Sequence, residues 1–110
     1  MIVDSQTIDR VLAPVSIEAL AHEMGEGSGT ISPVGSGSAL SVGNPLGSID
    51  AVVDTRHLNR ITEYVPGDLT VHVEAGIRLG ELQNALAEHN QMLPLDPWKG
   101  NGRTIGGIVA

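Results

Sequence analysis

The chain has no cysteine and no phenylalanine, and only one tyrosine and one tryptophan among its 110 residues. Without cysteine this stretch holds no disulfide, no thiol nucleophile and no cysteine-ligated metal. That is compatible with a cytoplasmic location, which is the expectation. With so few aromatics, any core must be built from Val, Ile, Leu and Ala. Basic residues are scarce too: six Lys and Arg stand against thirteen Asp and Glu, a net charge of −7. Such a surface repels phosphodiester backbones and anionic lipid, so neither nucleic acid nor a membrane is an expected partner. No apolar run is long enough for a secretory signal or a membrane span. The four histidines (His22, His57, His72 and His89) lack ligand-like spacing, so no metal is expected.

What the chain has in quantity is glycine, fourteen residues, with six prolines and a 41% hydrophobic share. That content argues against disorder, and the length allows one small domain. Ser16 followed by Ile17, Leu20, Ala21 and Met24 at helical spacing predicts a capped amphipathic helix stopped by Gly25. Strands are predicted over 30–34, 49–53, 61–65 and 69–74, the last two joined through Pro66-Gly67-Asp68 as a hairpin. In the last strand Val71 and Val73 should be buried, with His72 and Glu74 on the wetter side. Leu79, Leu82 and Leu86 mark a second helix over 79–89, ended by Asn90. The prolines of Leu93-Pro94-Leu95-Asp96-Pro97 impose an extended path before Trp98. The order is not a regular alternation of strand and helix. The class is α/β (α+β), a small mixed sheet flanked by helices.

Two segments carry chemistry. Pro33-Val34-Gly35-Ser36-Gly37-Ser38-Ala39-Leu40 places small residues at four consecutive positions, so the backbone can approach a ligand. Successive amides in such a turn can form an anion-binding concavity, with serine hydroxyls adding donors. The bland alternative is a flexible turn, because lone glycine-rich stretches are common. Thr104-Ile105-Gly106-Gly107 is a second small-residue cluster where a helix start could approach a ligand; its alternative is a disordered end. Pro94, Asp96 and Pro97 read by themselves as a rigid connector. Arg56 and Arg60 either meet an anion or sit on a solvated face, and Trp98 packs near a ligand or covers an apolar edge.

Taken together, these segments resemble the FAD-binding domain of the FAD-linked oxidases of the vanillyl-alcohol-oxidase type (PCMH-like). Ala13-Pro14-Val15-Ser16-Ile17-Glu18-Ala19-Leu20 looks like that family's opening proline and helix. Residues Pro33 to Leu40 are similar to its pyrophosphate loop, and Asp54-Thr55-Arg56-His57-Leu58-Asn59-Arg60-Ile61 to the stretch after its next strand. Thr70-Val71-His72-Val73-Glu74-Ala75-Gly76 resembles its "V-x-V-x-A-G" strand, and Leu79-Gly80-Glu81-Leu82 the helix opening after it. Leu93 to Pro97 with Thr104 to Ala110 resemble its second FAD-contacting segment. Gln91-Met92-Leu93-Pro94 and the late Gly-Gly-Ile-Val-Ala look closest to the smaller flavin subunit of glycolate oxidase.

The resemblance implies that Pro33 to Leu40, Pro94, Asp96, Pro97 and Thr104 to Gly107 contact FAD. Ser36 takes the middle place of a loop that often has three glycines, and Ala39 replaces a frequent hydroxyl. Backbone amides must therefore do more of the holding. Ser38 stands where some members attach FAD through histidine, which implies noncovalent binding. The implied whole is a flavin oxidoreductase acting on a 2-hydroxy acid, glycolate first, with D-lactate or a sugar alcohol as alternatives. A noncatalytic nucleotide-binding or assembly module is the alternative from another class. Glycolate oxidase likeness also implies flavin and iron–sulfur partner subunits. Residues 1–110 are then expected to be the N-terminal part of one FAD-binding domain, cut at its C-terminal side, with no catalytic residue of its own.

Overall fold

A computed structural model describes all residues from Met1 to Ala110. The α/β class holds, with the strands divided among three small sheets. β1 (Ile2–Val3) and β2 (Gln6–Thr7) form an antiparallel hairpin around Asp4 and Ser5, both at positive φ. Positive φ at both central positions gives a two-residue turn whose twist matches its strands. The usual Asn-Gly or Asp-Gly signal is missing, so the hairpin is not evident from the residues alone.

The central sheet is parallel, in the order β3 (Val11–Leu12), β5 (Ala51–Asp54), β4 (Ile31–Val34). β5 is buried along its whole length, as expected of the middle strand of a parallel sheet. α1 (Ile17–Glu26) connects β3 to β4, and Ser16 caps it by accepting from the Ala19 amide at 3.1 Å. Gly25 does not stop this helix as expected; the turn continues to Glu26, and Gly27 is the cap. An added Cβ at Gly25 would meet nothing within 4 Å, so the exposed position tolerates glycine at only a propensity cost.

Beyond this sheet, β6 (Ile61–Val65) and β7 (Thr70–Val73) form the predicted hairpin. Its turn is a single 3₁₀ turn over Pro66–Asp68, closed by Leu69 in the left-handed region. α2 (Leu79–Ala87) buries Leu79, Leu82 and Leu86, the three leucines of the predicted stripe. Asn90, at φ 55°, turns the chain after it. The chain then passes to α3 (Ile105–Val109), capped by Thr104.

Val3, Ile8, Val34 and Val52 make one small core, with Leu40 and Ile49 against it. Ile77, Leu82 and Leu86 make a second, with Ile61, Tyr64, Val71, Val73, Leu93 and Ile105 around them. Both lack phenylalanine, as the composition requires, and the one tryptophan is in neither. No helix is long and apolar enough to cross a membrane.

Candidate functional site

Parallel neighbours such as β4 and β5 need a crossover, and the usual crossover is a helix that engages its own amides. Here residues 35–50 cross over without helix or strand. As a result the amides of Gly35, Ser36, Gly37, Ser38, Ala39 and Leu40 donate no hydrogen bond to the chain. The Ser41 amide is likewise unbonded, and the run ends at Val42, whose amide donates to the Ala39 carbonyl at 3.0 Å. Gly37, at φ 72°, lets the loop turn where a side chain would be strained. The Ser36 hydroxyl donates to Ser38 Oγ at 3.2 Å.

The second cluster reaches the same place from the other core. The Leu79 amide donates to the Arg103 carbonyl at 2.9 Å, Ile105 to Ile77 at 2.9 Å, and Gly106 to Ala75 at 2.8 Å. These bonds fix residues 103–106 along the entry to α2. Thr104, 1% exposed, is pressed against the glycine loop: an added Cβ at Gly35 would lie 2.1 Å from Thr104 Oγ1. Gly35 is therefore required by the contact between the two segments.

Together the segments line an open cavity of about 300 Å³, at the small end of ligand sites. Every residue from Pro33 to Leu40 lines it, with Thr104 and Gly107 from the second cluster. Val42, Arg103 and Ala110 complete the wall. No Asp or Glu contributes to this lining, although the chain carries a net charge of −7. A neutral-to-positive recess on an acidic protein suits an anion, and free amides are the donors that an oxyanion accepts from.

Other expected site residues lie elsewhere. Ile105 packs on the second core, and Gly106 is held against Ala75, where an added Cβ would come 2.9 Å from the Ala75 Cβ. Pro94, Asp96 and Pro97 are not in the cavity wall; Pro94 and Asp96 are exposed on the extended segment, as a connector would be. Trp98 is exposed, with the Lys99 ammonium 4.5 Å above its ring. α3 is a single short turn whose first three amides are already engaged, Ile105 by Ile77, Gly106 by Ala75 and Gly107 by Thr104 Oγ1, so this helix start offers a ligand no free amide.

Arg56 and Arg60 do not wait for an external anion. Arg56 pairs with buried Asp54 at 2.6 Å, and Arg60 with buried Glu74 at 2.9 Å. Glu74 is thus inside, contrary to the alternation of β7. Its carboxylate accepts from both the backbone and the guanidinium of Arg60. Hydrogen bonds from Arg56 hold the Asp54 carboxyl below its ordinary range, and those from Arg60 do the same for Glu74. Arg103 and Val42 are lining residues that sequence reasoning missed, and Arg103 is the charged one. Its only signal was position, immediately before the Thr104 cap.

A protein-family model described as "FAD binding domain" matches residues 8–110. No curated protein matches the chain in sequence. Among solved structures, the fold is similar to alkyldihydroxyacetonephosphate synthase in a P1 crystal form, with 28% identity and a TM-score of 0.69. The match covers 88% of this chain and 21% of that one. In a P212121 form of that enzyme the values are 24% identity, a TM-score of 0.66, and 88% and 19% coverage. The chain thus spans about a fifth of the length of these solved relatives.

Proposed function

The chain belongs to the FAD binding domain family, whose members are FAD-linked oxidoreductases, and on that premise we propose that its cavity holds the diphosphate of FAD. One observation carries this reading. Six successive amides, Gly35 to Leu40, have no acceptor in the protein and belong to residues lining a recess without Asp or Glu side chains. The residues fit the group: amides and serine hydroxyls donate, and small side chains leave room. Val34 and Leu40, packed in the first core, hold the loop's ends in place before any ligand arrives. Nothing in the lining is a nucleophile suited to flavin attachment, since Ser38 replaces the histidine of covalent members; binding is noncovalent.

When bound, FAD supplies two-electron redox chemistry at its ring system. This chain's residues bind and position the cofactor, and none of the lining side chains is a proton acceptor of suitable basicity. For the whole protein we propose oxidation of a 2-hydroxy acid, glycolate first, on the likeness of Gln91 to Pro94 and Gly106 to Ala110 to the smaller flavin subunit of glycolate oxidase. Flavin and iron–sulfur partner subunits belong to that same proposal. The solved relatives carry the name of a synthase; a shared cofactor domain does not transfer a substrate.

The test is the spectrum of the purified intact protein. It should be yellow, should release FAD on denaturation, and should bleach on anaerobic addition of glycolate. Bleaching by D-lactate or a polyol alone would move the substrate to that class. A colourless protein that takes up no FAD would overturn the reading in favour of a noncatalytic module.

A further inference from the structure

Arg103 is the only charged side chain in the cavity wall. It comes from the second segment, which packs against the loop whose amides are free. Of the other basic side chains, Arg56 and Arg60 pair with carboxylates, Arg78 donates to the Gly102 carbonyl at 2.8 Å, and none lines this cavity. Arg103 has no carboxylate within 4.0 Å. One of its terminal nitrogens, Nη2, donates to the Gly107 carbonyl at 2.9 Å, which fixes the guanidinium across a residue that also lines the cavity. Its Nε is buried and has no acceptor in the protein. A buried donor on a permanent cation is costly to leave unmade. An anion in the cavity would supply the missing counter-charge to the exposed Nη end of the guanidinium, whereas Nε is closed off from solvent.

We propose that Arg103 is the counter-charge of the cofactor's diphosphate, setting FAD affinity and its salt dependence from the segment packed against the amide loop. This rests on the cavity being the diphosphate site, and it adds a role that backbone amides cannot fill. Amides carry no net charge, so the loop alone gives affinity that changes little with salt. A guanidinium presents a planar fork that matches two phosphate oxygens, which an ammonium does not. Its attraction at a partly exposed site is screened as ionic strength rises.

The experiment measures equilibrium binding of FAD, ADP and riboflavin to the intact apoprotein at low and high salt. Wild-type protein should bind FAD and ADP less tightly at high salt. Arg103→Met should weaken both by about ten- to a hundredfold at low salt, the effect of losing a hydrogen bond to a charged group. Its remaining affinity should be nearly independent of salt, while riboflavin, which has no phosphate, should bind equally to both proteins. Arg103→Lys should fall between them. Unchanged FAD and ADP affinity in Arg103→Met, or wild-type affinity that does not respond to salt, overturns the assignment while leaving the cofactor site standing. The salt series on wild-type protein decides the matter even if Arg103→Met fails to fold. Wild-type protein that binds neither FAD nor ADP overturns the diphosphate site itself, and this assignment with it.

Discussion

Two glycines show how differently the same atom can be forbidden. At Gly35 an added Cβ would meet Thr104 Oγ1, the tip of a side chain; at Gly76 it would lie 1.7 Å from the Thr55 carbonyl oxygen, which is backbone. Overpacking of this kind costs about 1–3 kcal/mol, occasionally more. Gly35→Ala should therefore destabilise the protein, and removing the hydroxyl in Gly35→Ala/Thr104→Ala should recover part of that loss. The double variant is expected to lose less than the sum of the single losses, even though Thr104→Ala alone costs about 1 kcal/mol of cap. Gly76→Ala has no such second-site relief and should be the most damaging of the three. Denaturant unfolding of the four variants checks both statements; strict additivity for the Gly35 and Thr104 pair would contradict the contact. Neither requirement can be seen in the residues themselves. Gly76 reads as a strand breaker and Gly35 as one of several loop glycines, because their neighbours are distant in the chain.

At the scale of elements, the carboxylates that end β5 and β7 tie local structure together. Asp54 is the last residue of β5, and its partner Arg56 lies just beyond. Glu74 follows β7 and holds Arg60, which precedes β6, so the pair closes the open end of the hairpin. Both carboxyls titrate lower in the folded protein than free carboxylates do. The unfolded chain therefore takes up protons first as acid is added. The stabilisation is whole above the ordinary carboxylate range, roughly pH 4, and is lost as pH falls through the lower folded values. Glu74→Gln should be less stable than wild type at neutral pH and should show a shallower loss of melting temperature in acid. An acid slope identical to wild type would contradict the role of this pair.

Elements differed in how much of them the residues disclosed. α1, α2 and the β6–β7 hairpin were legible because each has a complete local signal: a serine cap, a leucine stripe, a Pro-Gly-Asp turn. β1 to β3 have two residues each, too few for any periodicity. α3 was legible as a glycine-rich helix start but not in its anchoring, which depends on the Thr104 cap and on bonds to residues 75–79. The burial of Glu74 required knowing that Arg60 lies beside it across the hairpin. For the site, the glycine loop was legible in full, whereas Arg103 had no pattern of its own and Pro94, Asp96 and Pro97 entered only through family likeness.

As a whole the molecule is thinly built. Only 16 of 110 residues are buried, and the radius of gyration is 15.3 Å, against roughly 13 Å for a typical domain of this size. The cavity lies where the two small cores meet, with Val34 and Leu40 anchoring one wall in the first and Ile105 anchoring the other in the second. A ligand gripping both walls joins the cores. FAD at a hundred times its dissociation constant should therefore stabilise the fold by about 2.7 kcal/mol. Thermal unfolding with and without FAD reads this as a higher melting temperature, and an unshifted transition at saturating FAD would contradict it.

The central claim, that the amides of Gly35 to Leu40 grip the cofactor across from the Thr104 segment, is tested most directly by hydrogen exchange of the intact protein with and without FAD. The amides of residues 35–40, unbonded within the protein, should exchange fast alone and become protected when FAD is added, with the 103–107 segment protected alongside. Protection confined to another region, such as the β6–β7 hairpin and α2, with residues 35–40 still exchanging freely, would contradict the account.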